Sequence, residues 1–129
     1  MRRAAVAFAL TLWMLALIRV MRRLRAYEVF GSSMVPTLRH GDFVLADAKA
    51  YKGRAPRPGH VVVVDDPRDP ERTIIKRVAS IDLVAGVWLE GDNAEESTDS
   101  RAFGAVSVAA MRGRVLAKYW PLPLRLWRA

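Results

Sequence analysis

The chain has 129 residues, 52% hydrophobic and without cysteine, which allows one compact domain plus one appended segment and excludes disulfide staples, thiolate metal sites and a cysteine nucleophile. Its net charge of +8 is unevenly spread: all thirteen acidic residues lie between Glu28 and Asp99 beside nine basic ones, while the flanks, 1–27 and 100–129, carry six basic residues each and no acid. Basic flanks of this kind suit an anionic membrane surface, and with no helix-turn-helix, zinc-finger or aromatic RNA-binding pattern present, no nucleic-acid partner is expected.

From Ala4 to Ile18 the chain reads AAVAFALTLWMLALI, fifteen uncharged residues between Arg2-Arg3 and a cluster of Arg19, Arg22, Arg23 and Arg25. Apolar residues cover every side of the helix this stretch predicts, which argues against a one-sided core helix and for membrane lipid as its surroundings. The uncharged run alone is shorter than a hydrocarbon core of about 30 Å, so spanning needs Val20, Met21 and Leu24 to prolong the helix while arginines snorkel. A cleaved leader is the rival reading, but arginines stand where a small-residue cleavage site should be. Residues 1–26 are therefore expected to form an N-terminal anchor helix, and 27–129 one folded domain. Four arginines after the helix against two before it favour a cytoplasmic domain under the positive-inside rule.

Beyond Tyr27 the pattern turns to strands and loops. YEVF is followed by the loop GSSMVPTLRHGD (31–42) and by DFVLADA with alternating apolar positions; 51–59 read as a loop. HVVVV (60–64) is a β-branched run of strand length, DDPRDPE (65–71) a charged turn, and TIIKRVASI a second strand paired with the first. VAGVWLEG predicts a turn and strand, GDNAEESTDSRAFG a long polar loop, and AVSVAAMRGRVLAKYW a strand with a helical turn. The tail PLPLRLWRA has the Trp, Leu and Arg composition of a headgroup interface or of an ordinary surface tail. The fold class expected is mostly β.

The 31–42 loop places Ser33 in a rigid setting, since Gly31 opens backbone angles closed to other residues, Pro36 locks its own φ, and Gly41-Asp42 closes the segment. Ser33 is a candidate nucleophile; the plain alternative is a polar loop between strands. If TIIKRV is a strand, alternation sets Ile74, Lys76 and Val78 on one face and Ile75 and Arg77 on the other. Lys76 among apolar neighbours would be pushed toward the neutral amine that a general base requires, the alternative being a solvated strand lysine. His40 lies in the same loop as Ser33 and His60 opens a strand, so neither suits a Ser-His-Asp triad. The two histidines with Asp42, Asp65 or Asp92 lack recognised ligand spacing, and no metal or cofactor is expected; Asp42 and Asp92, each following a glycine, read as turn carboxylates.

GSSMVPTLRHGDFVL, RPGHVVVV, IIKRV and EGDNAEESTDSRAFGAV, in this order, resemble the successive boxes of type I signal peptidases, the membrane-bound Ser-Lys endopeptidases, over residues 28–117. The resemblance implies a small signal-peptidase-like β catalytic core, with Ser33 as nucleophile, Lys76 as general base, Ser97 as a hydroxyl that orients the lysine, and Asp99 with Arg101 as a supporting ion pair. Met34 belongs to the Ser-Met-x-Pro-Thr-Leu box. The Ser33 amide is the implied oxyanion donor; some members carry a serine two residues before the nucleophile as a second donor, where this chain has Gly31, and Ser32 is a weak substitute.

The resemblance further implies acyl transfer on a preprotein or leader peptide, bound extended along strand edges and cut after small side chains as in Ala-x-Ala. The short interval from Lys76 to Gly91 leaves no room for the extra domain of larger members. The domain is expected outside the cytoplasm, on an inner or plasma membrane. A narrower resemblance, to the maturation proteases that trim the leader of nickel-type superoxide dismutase, would place it inside. Organellar inner-membrane peptidases are a further similar group. A non-catalytic membrane-tethered β module is the remaining alternative, and oligomeric state is not legible.

Overall fold

The computed structural model describes residues 1–127; Arg128 and Ala129, the end of the PLPLRLWRA tail, lie outside the described residues. Helix α1 runs from Arg2–Arg23, 22 residues with a mean hydropathy of 2.1 over its most apolar window, and buries none of them against the domain. At 1.5 Å per residue it is about 33 Å long, enough to cross the hydrocarbon core with its arginines at the ends. Leu24, expected to prolong the helix, instead opens a strand, because the chain turns extended there to pair with Asp47.

Seven strands follow among the described residues: β1 (Leu24–Glu28), β2 (Phe43–Asp47), β3 (Val61–Asp66), β4 (Asp69–Asp82), β5 (Gly86–Glu90), β6 (Met111–Trp120) and β7 (Arg125–Leu126). All pair antiparallel in the order β1-β2-β6-β3-β4-β5, with β7 added to β6. The mostly β expectation holds. Within the tail, Arg125 and Leu126 pair with β6 and Trp127 packs on the core. The expected charged turn at 65–71 shrinks to Pro67-Arg68. Asp66 accepts the Arg68 amide at 3.0 Å, which closes the hairpin and leaves the flanking acids in β3 and β4. His60 likewise precedes β3 rather than joining it.

The strand β3 explains its own run of valines. Val61 and Val63 join one buried cluster with Val29, Met34, Leu38, Val44 and Val115, while Val62 and Val64 join a second with Ile74, Val78, Val87 and Leu89. A strand covered on both faces has no polar side to alternate with, and each valine buried contributes roughly 1.5–3 kcal/mol. The long polar loop after β5 contains a 3-10 turn at Ala94–Glu96 and helix α2 (Ser100–Phe103); a second 3-10 turn, Val108–Ala110, leads into β6. Helix α2 begins at Asp99, whose carboxylate accepts the Arg101 amide.

Two strand edges are left open toward each other's surroundings. Among the described residues strand β1 pairs only with β2, and β4 meets β5 only from Arg77 onward, so its stretch 73–76 has a partner on one side. These two edges flank a single cleft.

Candidate active site

The cleft has a volume of about 820 Å³ and is walled by Ala26–Phe30 of the β1 side, by Gly31–Met34 of the following loop, and by Arg72–Lys76 of β4. Ser33 and Lys76 thus share one cavity. Between them in sequence stand β2 and β3, and the antiparallel order folds the Ser33 loop back beside β4.

Alternation along β4 is as the sequence predicts: Ile74, Lys76 and Val78 are buried, while Ile75 and Arg77 are half-buried on the other face. Lys76 is only 4% exposed. Burial drives its pKa below the ordinary lysine value; the Asp99 carboxylate opposes this, and the Arg68 guanidinium adds to it. Lys76 Nζ donates to Ser97 Oγ at 3.1 Å, and Ser97 Oγ donates to Asp99 Oδ2 at 2.7 Å. A hydroxyl has one proton; with that proton given to Asp99, Ser97 meets the lysine as an acceptor. The amine's lone pair is left for another proton.

Asp99 is fully buried. Its burial alone would raise its pKa, but Arg101, the Gly91 amide and the Ser97 hydroxyl outweigh that and hold it well below the usual carboxylate range. Arg101 Nε and Nη2 reach Asp99 Oδ1 and Oδ2 at 2.9 and 2.5 Å, and the Gly91 amide reaches Oδ2 at 2.9 Å. One carboxylate therefore fixes a hydroxyl, a strand end and an arginine.

The Ser33 loop is turned by Gly31 and Gly41, with φ of 79° and 87°. Met34 is buried in the first core cluster beside Leu38, which anchors the residue after Ser33. His40 Nδ1 accepts the Gly31 amide at 3.1 Å and its ring meets Phe30 edge-on, so His40 closes the loop. His60 lies elsewhere, with Nδ1 against the Tyr51 hydroxyl at 2.9 Å. Asp42 accepts the Arg39 amide at 2.9 Å, the turn role its sequence suggests. Asp92 does not have that role. It takes a two-point bond from Arg77 at 2.8 Å on each oxygen and a bond from Thr37 at 2.5 Å, tying the far side of the Ser33 loop to β4.

Gly31, exposed and without a side chain, supplies no hydroxyl donor, its amide being given to His40, and the Ser32 hydroxyl donates to the Glu96 carboxylate. Ser33 Oγ and the Ser33 amide make no hydrogen bond among the described residues. Catalytic hydrogen bonds often tighten only in the substrate complex.

Sequence reasoning did not single out Gly91, Asn93, Arg68 or Glu96. The signal lay in the Gly-Asp-Asn triplet. A Cβ at Gly91 would stand 2.5 Å from the Ser33 carbonyl oxygen and still closer to Ser97 Oγ, so only glycine lets the two halves of the site approach.

Residues 1–82 match the family described as "Signal peptidase, peptidase S26". The chain is 33% identical to "Mitochondrial inner membrane protease subunit 1" of Homo sapiens, covering 71% of this chain and 67% of that protein. It is 36% identical to "Mitochondrial ATP-independent inner membrane protease subunit 1a" of Arabidopsis thaliana, with 73% and 69% covered. With "Mitochondrial inner membrane protease subunit 2" of Danio rerio the identity is 32%, with 73% and 63% covered.

Proposed function

The chain belongs to the signal peptidase, peptidase S26 family, and as a single-pass membrane peptidase of that family we propose that it is a serine endopeptidase using Ser33 and Lys76 to remove leader peptides from preproteins. Neutral Lys76 takes the Ser33 proton, and Ser33 Oγ attacks the scissile carbonyl carbon. The Ser33 amide donates to the oxyanion, the leaving amine departs with the proton carried by Lys76, and water activated by the same amine hydrolyses the ester. Ser97 holds the lysine and Asp99, with Arg101, holds Ser97.

The observation that carries this reading is Lys76 itself: 4% exposed, bonded to a hydroxyl that accepts from it and donates to Asp99, in the cleft that also contains Ser33. The open edges of β1 and β4 suit a preprotein segment added as an extended strand, with Met34 and Ile74 bounding the space for small side chains before the cut. The test is cleavage of an Ala-x-Ala preprotein by the full chain in detergent. Ser33→Ala and Lys76→Ala should each lower kcat/KM by roughly 10³-fold or more. Full activity in either variant would discredit the assignment.

We place the catalytic domain on the side to which preproteins are exported. The excess of arginines after the uncharged run 4–18 favours a second reading, a maturation protease for nickel-type superoxide dismutase on the cytoplasmic side. Protease protection in intact vesicles separates the two, and so does cleavage of a dismutase precursor but not an exported preprotein.

A further inference from the structure

A second cleft, of about 850 Å³, lies apart from the Ser33–Lys76 cavity and is lined by six cations: Arg23, Lys49, Lys52, Arg54, Arg57 and Arg114. Asp47, the carboxylate in this wall, is engaged by Arg23 through bonds of 3.2 and 2.6 Å, and Lys49, Lys52, Arg54 and Arg57 have no ion pair among the described residues. Positive charge so concentrated in a concave wall repels itself unless an anion sits there.

Its place in the fold says which anion. Arg23 is both the last residue of α1 and a wall of this cleft, and its carbonyl oxygen accepts the Ala48 amide at 2.8 Å, which locks the helix end to the loop that supplies the other cations. A helix that ends its membrane crossing at Arg23 sets the cleft at headgroup depth. The remaining walls are uncharged: the Tyr51 hydroxyl bonds His60 Nδ1 at 2.9 Å, and the two rings stack at 6.0 Å. Burial keeps the Tyr51 phenol protonated, pushed up to about 12, and burial with Arg114 and Arg57 nearby lowers the His60 pKa, so neither opposes an anion at neutral pH.

We propose that this cleft is a binding site for the phosphate of an anionic phospholipid headgroup, held by Lys52, Arg54 and Arg57 from the 49–57 loop. It requires only that α1 spans the bilayer, and is independent of the Ser33–Lys76 chemistry. Bound lipid would fix the height and tilt of the domain over the membrane and hence how a leader enters the first cleft.

Native mass spectrometry of the full chain in dodecylmaltoside micelles tests this, with short-chain phosphatidylglycerol, phosphatidylcholine of the same chain length, and inorganic phosphate as probes. The expected result is retention of phosphatidylglycerol at least tenfold tighter than phosphatidylcholine, lost at least tenfold in a Lys52→Ala/Arg54→Ala/Arg57→Ala variant. A control at exposed arginines that do not line this cleft, Arg39→Ala/Arg125→Ala, should retain it. Equal retention by the triple variant, with its melting temperature unchanged, would overturn the site. Inorganic phosphate binding as tightly as the lipid would overturn the lipid assignment and leave a free anion as the ligand. A triple variant that fails to fold is replaced by Arg54→Glu alone, for which the same tenfold loss is required.

Discussion

The amide of Asn93 donates to the carbonyl oxygen of Ser33 at 2.9 Å, and Asn93 Nδ2 reaches the carbonyl oxygen of Ser32 at 3.2 Å. The loop after β5 therefore grips the backbone on which the proposed nucleophile stands. The same loop carries Ser97 and Asp99 to Lys76, so one segment sets both halves of the site in register.

Gly91 is where that segment has no slack. Gly91→Ala puts a methyl against the Ser33 carbonyl and Ser97 Oγ, and both must move. A displacement near 1 Å costs on the order of 10²-fold in rate, and overpacking costs about 1–3 kcal/mol. Expected is a kcat/KM loss near that size with an unfolding midpoint lowered accordingly. Wild-type activity in this variant would show that the close approach is unimportant.

With Lys76 as the proposed base, the acid limb of the rate profile reports its proton. Its lowered pKa predicts that kcat/KM rises with pH through a midpoint below the ordinary lysine value near 10.5. Arg68 helps to lower that midpoint, and it pairs with Asp66 at 2.7 Å. Arg68→Ala removes one cation and uncovers the Asp66 charge, both of which favour the ammonium. The acid limb should move to higher pH; a shift to lower pH or none would contradict the electrostatic account.

Asp99→Ala strands the Gly91 amide and the Ser97 hydroxyl in a buried site, at a cost of about 2 kcal/mol. Because the folded-state pKa of Asp99 is depressed, its stabilisation is fully present above the unfolded value near 3.9 and is lost as pH falls through the folded one. Denaturant titrations at pH 7 and below pH 3 should therefore show the gap between wild type and variant closing in acid. A gap that widens in acid would reverse the sign.

Ser32→Ala addresses the oxyanion. Since the Ser32 hydroxyl donates to Glu96, its removal should leave kcat within about threefold of wild type, whereas deleting an oxyanion donor costs roughly 10²–10³-fold. A loss of that larger size would make Ser32 the second donor after all.

Much of this was written locally. The all-round apolarity of 4–18 makes a helix with no core face, the four valines of β3 make a strand buried on both sides, and the spacing of Ile74, Lys76 and Val78 sets the lysine on a covered face whatever lies opposite. Gly31 and Gly41 mark the turns that hold Ser33, because only glycine adopts their positive φ without strain. These are properties of neighbouring residues, and steric rules act between neighbours.

What local rules cannot reach is which distant groups meet. Asp92 reads as a turn carboxylate from its preceding glycine, and becomes the clamp between Thr37 and Arg77 only when strand register brings them together. Helix α1 ends at Arg23 rather than near residue 26, because pairing of Leu24 with Asp47 overrides apolar continuity. The alternation along β4 announced a buried Lys76, but the hydroxyl that orients it, the carboxylate behind that hydroxyl, and the glycine that lets Ser33 approach come from a loop whose place is set by the pairing of β5 with β4. Hydrogen bonds and ion pairs fall off within a few ångströms, so their partners are decided by the fold of the sheet.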